Sequence, residues 1–395
     1  MKKLFLATCA AAALGAGAAV AEDIKIGIIL GFTGPIESLT PHMRDGAKLA
    51  MKEVSDSGAL LDGSTVTAIE ADSTCIDAAA ATAAAERLIT SDGIKGIMGA
   101  DCSGVTGAIL TNAAVPNGVV MISPSATSPA LSSVEDNGLF FRTSPSDARQ
   151  GEVMTDVLID NGVKSVALTY TNNDYGKGLA DSFQAAFEAA GGEVTISTPH
   201  EDGKADYSAE VGSLASAGGD LLVVAGYIDQ GGAGIVRGAL DAGAFDTFHF
   251  PDGMIGTSLE ENFGAELEGS TGQVAGTDSP GNAMFSEMAA VAGFDSSSPY
   301  AGESYDAAAL IMLAMQAAKS SDPASYKDKI EMVANAPGEQ IFPGELEKAL
   351  KILSEGGEID YVGATAVELI GPGETAGNFR ELRMENGKLE TVKYR

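Results

Sequence analysis

What this 395-residue chain lacks narrows its function before any motif is found. It carries 24 lysines and arginines against 55 aspartates and glutamates, a formal charge of −31. A nucleic-acid binder needs a basic face against phosphate, so that class is excluded. The acidity favours solubility and leaves the ligand open. Beyond the leader there is no run of about 18 apolar residues, so no later segment is long enough to span a membrane. The three histidines, His42, His200 and His249, are scattered and no C-x-x-C pair occurs, which argues against a metal site. No G-x-x-x-x-G-K-[ST] loop is present, so the chain is not itself an ATPase, and no G-x-S-x-G elbow surrounds Ser103. Gly232-Ala233-Gly234 mimics a dinucleotide loop, but the next glycine is Gly238, and Arg237 stands where the third should be. With no nucleophile–base–orienter set either, the chain reads as a non-enzyme that needs no cofactor.

What is present begins with residues 1–21. Lys2 and Lys3 precede an apolar stretch rich in alanine, and Ala19-Val20-Ala21 forms a small-residue cleavage site. This is the pattern of a secretory signal cleaved after Ala21, and its removal takes the charge to −33 because Lys2 and Lys3 leave. Cys75 and Cys102 remain, and two cysteines in an exported chain suggest one disulfide. Closing that loop is worth roughly 3.5 kcal/mol, less any strain.

The mature chain exceeds one ordinary domain and suggests two. Short β-rich runs alternate with helical spacing: strands at 24–30, 65–70, 94–98 and 119–123, and helices at 40–57, 76–89 and 105–114. That order implies a largely parallel sheet with right-handed crossovers. The segment 139–145 breaks the rhythm and reads as a crossover. A second series follows, with strands at 165–170, 194–197, 221–225 and 248–250 separated by helices. Helices dominate 283–353, and Asn386-Gly387 marks a hairpin near the end.

Two strand ends break into small hydroxyl residues, Gly99-Ala100-Asp101-Cys102-Ser103 and Ile122-Ser123-Pro124-Ser125-Ala126-Thr127. In open α/β sheets, ligands sit outside the carboxyl ends of the strands. Hydroxyls and backbone N–H groups there suit a carboxylate. Ser103 and Thr127 also fit a plainer role as helix caps, and Pro251-Asp252-Gly253 is an ordinary turn sequence.

At these residues the chain resembles the periplasmic solute-binding proteins of ABC importers that bind leucine, isoleucine and valine. The resemblance rests on IKIGIILGFTGP at 24–35, the Cys75…Cys102-Ser103 pair, MISPSATSPAL at 121–131 and TYTNNDYGKGLADSF at 169–183. VVAGYIDQGGAGIVRGALDAG at 223–243 and FPDGM at 250–254 extend it over the mature chain. It implies the two-lobe, type I α/β fold, each lobe a mostly parallel sheet flanked by helices, joined by three crossovers. The implied division is 22–142 and 272–356 for the N-terminal lobe, 143–271 and 357–395 for the C-terminal lobe. The implied ligand residues are Ser103, Ser125 and Thr127 on one wall, and Tyr175, Tyr227 and Asp252 on the other, with Asp252 pairing an ammonium. The implied disulfide is Cys75–Cys102. Two positions depart from the leucine binders: Leu39, or a neighbour, replaces an aromatic beside Pro41-His42, and Asp252 replaces a longer glutamate. Tyr300 lies near a position where an aromatic lines the side-chain pocket.

The expected protein is thus a monomeric periplasmic receptor that captures an amino acid, branched-chain or similar, and delivers it to a membrane permease. A small amide such as urea, an aromatic or aliphatic carboxylate, or a ligand-sensing role are the alternatives left open.

Overall fold

The computed structural model describes residues 21–395, so the leader lies outside the described residues except for Ala21. The first series of strands forms one five-stranded sheet: β1 (Asp23–Leu30), β2 (Thr65–Asp72), β3 (Ile97–Gly99), β4 (Met121–Ser123) and β5 (Phe140–Arg142). Its spatial order is β2-β1-β3-β4-β5, and every pairing is parallel. Each strand except the edge strand β2 is almost wholly buried, as a parallel sheet covered on both faces requires. The segment expected to be a crossover therefore contains a fifth strand, and the chain leaves the first sheet only after Arg142. Three residues are too short to show a strand period.

The second sheet holds β6 (Ser165–Thr171), β7 (Glu193–His200), β8 (Leu221–Ala225), β9 (Phe248–Phe250) and β10 (Thr271–Ala275). The hairpin Phe379–Glu385 with Lys388–Tyr394 adds antiparallel at the β10 edge. β10 runs past the expected boundary at 271/272, so the chain leaves this sheet only after Ala275. It returns later than expected as well. The strand Ile359–Tyr361 pairs with Glu339–Ile341, and Gly373 accepts from the backbone of Arg142, so residues up to about 375 pack with the first lobe.

The helix Thr40–Ser57 matches its expected span, and its apolar stripe of Met43, Ala47, Ala50, Met51 and Val54 is buried. Much of that stripe packs on Ala301–Ala318, a helix buried on all sides over nearly its whole length. A helix apolar all round must lie inside a core, and this one fills the centre of the first lobe.

Both sheets change strand direction of travel at one point, between β1 and β3 in the first and between β6 and β8 in the second. Crevices form outside the carboxyl ends of strands at such switch points. The loops after β1, β3 and β4 face those after β6, β8 and β9, and the cleft lies between them.

Candidate ligand-binding cleft

Gly99 ends β3, and a Cβ there would lie 2.2 Å from the Ile29 carbonyl oxygen, so only glycine lets β3 approach β1 this closely. The chain then turns through Asp101, whose buried carboxylate accepts from the Gly31 N–H at 2.5 Å, the Ser73 hydroxyl at 3.0 Å and the Cys102 N–H at 3.0 Å. Burial raises the Asp101 pKa, and those three donors pull it back. Cys102 is bonded to Cys75, with the Cα atoms 5.2 Å apart, as expected. Together these contacts fix the start of the helix Ser103–Ile109 at the cleft wall.

Ser103 is 2% exposed, and its hydroxyl accepts from the Ser128 N–H at 3.1 Å rather than capping its own helix. The Ser125 hydroxyl donates to the Asp101 carbonyl at 3.0 Å. Beneath them the buried Arg142 guanidinium donates to the carbonyls of Ala126 and Ser128 at 3.1 and 3.0 Å, to the Ser132 hydroxyl at 2.9 Å, and to Glu374 at 2.6 Å. Five N–H donors in a planar fork allow one side chain to hold this whole loop.

On the opposite wall, Asn173 caps the helix Asp174–Ala189 through the Gly176 N–H, which sets Tyr175 in the first turn. Tyr175 stacks on Tyr227 with ring centroids 5.1 Å apart and planes 18° apart. The Tyr175 hydroxyl donates to Asp252 Oδ1 at 2.6 Å, and the Gly253 N–H donates to the same oxygen at 2.8 Å. The Tyr300 hydroxyl, from the first lobe, donates to Asp252 Oδ2. Tyr300 has φ +65°, a left-handed conformation that a bulky residue adopts only when its surroundings enforce it.

These side chains close on a cavity of about 20 Å³ lined by Ser103, Ser125, Tyr175, Tyr227 and Asp252 among the expected residues. Leu39 and Tyr300 also line it, as do Ile36 and Asp101. Thr127 is buried just off this wall, its hydroxyl without a hydrogen-bond partner. Such a space holds about one water, so a solute of amino-acid size enters only if the lobes part.

One acid was absent from the expected set. Asp147, fully buried, starts the helix Asp147–Asp160 beside Thr127, whose carbonyl accepts from its N–H at 2.8 Å. Neither of its carboxylate oxygens has a hydrogen-bond partner. Burial first, and then the Asp252 charge, drives its pKa well up, while the Arg142 charge pulls it down. In the sequence it looks like an ordinary first-turn acid behind the cap Ser146, and only the crossover after β5 carries it beside Thr127, behind the cavity wall.

The comparisons agree with this architecture. The family described as "Periplasmic binding protein" matches residues 23–344. The chain is 30% identical to Leu/Ile/Val-binding protein homolog 1 of Brucella melitensis over 82% of this chain and 86% of that one. It is 35% identical to homolog 3 of the same organism, over 61% of this chain and 64% of that one. In structure it resembles a leucine binding protein of Thermotoga maritima, with TM-score 0.80 at 23% identity, covering 94% of this chain and 98% of that chain. It also resembles the solute binding protein of an ABC transporter from R. palustris in complex with benzoate, with TM-score 0.75 at 20% identity, covering 94% of this chain and 96% of that chain. The chain belongs to the periplasmic binding protein family, and is a binding protein rather than an enzyme.

Proposed function

We propose that the protein is the substrate-binding receptor of an ABC importer, exported with cleavage after Ala21. It captures an amino acid, branched-chain or similarly aliphatic, between its lobes and delivers it to a membrane permease. The observation that carries the ammonium half of this reading is the pair Asp147 and Asp252. Both are buried, Asp252 on the cavity wall and Asp147 behind it beside Thr127, and among the described residues neither forms a salt bridge with a lysine, arginine or histidine. Closing carboxylates away from water without a cation is costly, and burial raises the Asp147 pKa for that reason. A ligand ammonium held against Asp252 lowers that cost.

The carboxylate half rests on Ser103, Ser125 and Thr127. Thr127 offers a buried hydroxyl with no partner, and Ser103 a hydroxyl and an N–H at a helix start. Ile36 and Leu39 supply an apolar wall for an aliphatic side chain. The solute docks on these first-lobe groups when the lobes are apart. Hinge closure then brings Tyr175, Tyr227 and Asp252 over it and expels water.

A second reading is an aromatic or aliphatic carboxylate. It draws on the tyrosine hydroxyls that already occupy both oxygens of Asp252 and on the stacked Tyr175 and Tyr227 rings. Thermal unfolding of the mature protein, refolded to strip solute, against amino acids, amides and carboxylates decides between them. A ligand at 100 times its Kd adds about 2.7 kcal/mol. A shift with leucine or valine and none with their desamino acids supports the ammonium site. A shift with carboxylates alone replaces it with the second reading.

A further inference from the structure

The two lips of the cleft meet away from the ligand groups, at Asp229. The Asp229 carboxylate accepts from the Ser38 N–H at 2.8 Å, and the Asp229 N–H donates to the Pro35 carbonyl at 3.1 Å. Ser38 and Pro35 lie in the loop after β1 of the first lobe, and Asp229 lies in the loop after β8 of the second. The Ser258 hydroxyl, also from the second lobe, reaches the other Asp229 oxygen at 3.3 Å. Asp229 therefore joins the two lobes through paired main-chain and side-chain bonds.

Its neighbours tie this junction to the site on both sides. Ile36 and Leu39, flanking Ser38, line the cavity. Tyr227, two residues before Asp229, lines it from the other lobe. Between them, the Ile228 N–H donates to the Gly253 carbonyl at 3.0 Å, which fixes the segment to the turn holding Asp252. Asp229 itself is absent from the cavity wall. It can act on a bound solute only by holding the lips together.

We propose that Asp229 is a closure latch, a positioning residue that sets how long the lobes stay shut without reading which solute is inside. The proposal rests on capture by lobe closure. Apparent affinity scales with the fraction of protein able to hold the closed form, so loss of a latch weakens every ligand by one common factor. A hydrogen bond to a charged group across a partly buried contact sets that factor at about tenfold.

The test compares wild type, Asp229→Ala and Asp229→Asn by calorimetric titration with leucine, valine and benzoate, with stopped-flow dissociation for each probe that binds. Small-angle scattering with and without that probe records closure. Ligand-free melting temperatures check that the variants fold. The expected result is equal weakening of every probe that binds wild type, about tenfold for Asp229→Ala and less for Asp229→Asn, whose amide oxygen still accepts from Ser38. The loss appears as faster dissociation. Unequal losses among probes would make Asp229 a ligand-reading residue and overturn the latch. Equal affinity of wild type and Asp229→Ala, with scattering still showing closure in wild type, overturns the latch alone. A wild type that binds no probe, or binds without compaction, removes the closure reading and the latch with it.

Discussion

The Tyr300 hydroxyl of the first lobe donates to the Asp252 carboxylate of the second, while Tyr175 holds the other oxygen of the same acid at 2.6 Å. One carboxylate thus joins the lobes and faces the cavity. Tyr300→Phe keeps the ring and removes only the interlobe donor. We expect its affinity for an amino acid ligand to fall about tenfold, in line with one lost charge-assisted hydrogen bond. Calorimetric titration checks this, and a ligand-free melting temperature close to wild type separates it from misfolding.

Arg142 is 1% exposed on its side chain and Glu374, its partner, 20%. Arg142→Met leaves Glu374, two carbonyls and a hydroxyl without their donor. Breaking a buried pair from one side costs about 3–5 kcal/mol, and the partial exposure of Glu374 places this case near 3 kcal/mol. Urea unfolding measures it. Arg142→Lys restores only part, because one ammonium cannot reach four acceptors in different directions.

Behind Tyr300 a second cavity of about 150 Å³ lies at the hinge, lined by Glu303, Arg380 and several serines. Burial pushes the Glu303 carboxyl up to about 8. A folded pKa above the unfolded value means that the native state binds the proton more tightly. The stabilisation is complete below about 4.5 and is lost as pH rises through about 8. Burial also depresses His200 and His249, to about 4 and about 3, but their effect on stability is complete above about 6.5. Between pH 6.5 and 8, then, the Glu303 decline is free of theirs. We expect unfolding free energy to drop by up to about 2 kcal/mol across that window, at ~1.36 kcal/mol per unit. Urea titrations at several pH values should show this slope in wild type and, in Glu303→Gln, a slope smaller by about 1.36 kcal/mol per pH unit, the contribution of Asp147, whose pKa burial also raises, remaining.

The parts of this molecule that were legible in the sequence are those with a strong period or a fixed chemistry. Met43, Ala47, Ala50, Met51 and Val54 repeat at helical spacing, and the helix Thr40–Ser57 follows. Cys75 and Cys102 are the only cysteines after the leader, and they pair. Strand ends rich in Ser and Thr mark the first wall of the cleft. What stayed hidden has physical reasons. β5 is three residues long, and β10, Thr271–Ala275, buries Gln273 where an apolar residue was to be expected. Asp147 comes to lie behind the cavity wall through the crossover after β5, which no local pattern announces, and Tyr300, expected near the side-chain pocket, reaches the cavity through a left-handed turn that the sequence did not show. Asp229 acts through a contact 191 residues away in sequence.

The central claim is that the cleft reads an ammonium through buried carboxylates. Its most direct test is calorimetric titration of leucine and of 4-methylpentanoate, the same molecule without the amino group, into wild type and Asp252→Ala. The account predicts that wild type favours leucine by at least about a hundredfold, from a charge-assisted pair shielded from water. In Asp252→Ala that preference should shrink by at least about tenfold, with 4-methylpentanoate losing only the roughly tenfold that the broken Tyr300 contact costs either solute. Equal losses for the two solutes, or a wild type that binds 4-methylpentanoate as well as leucine, would contradict it.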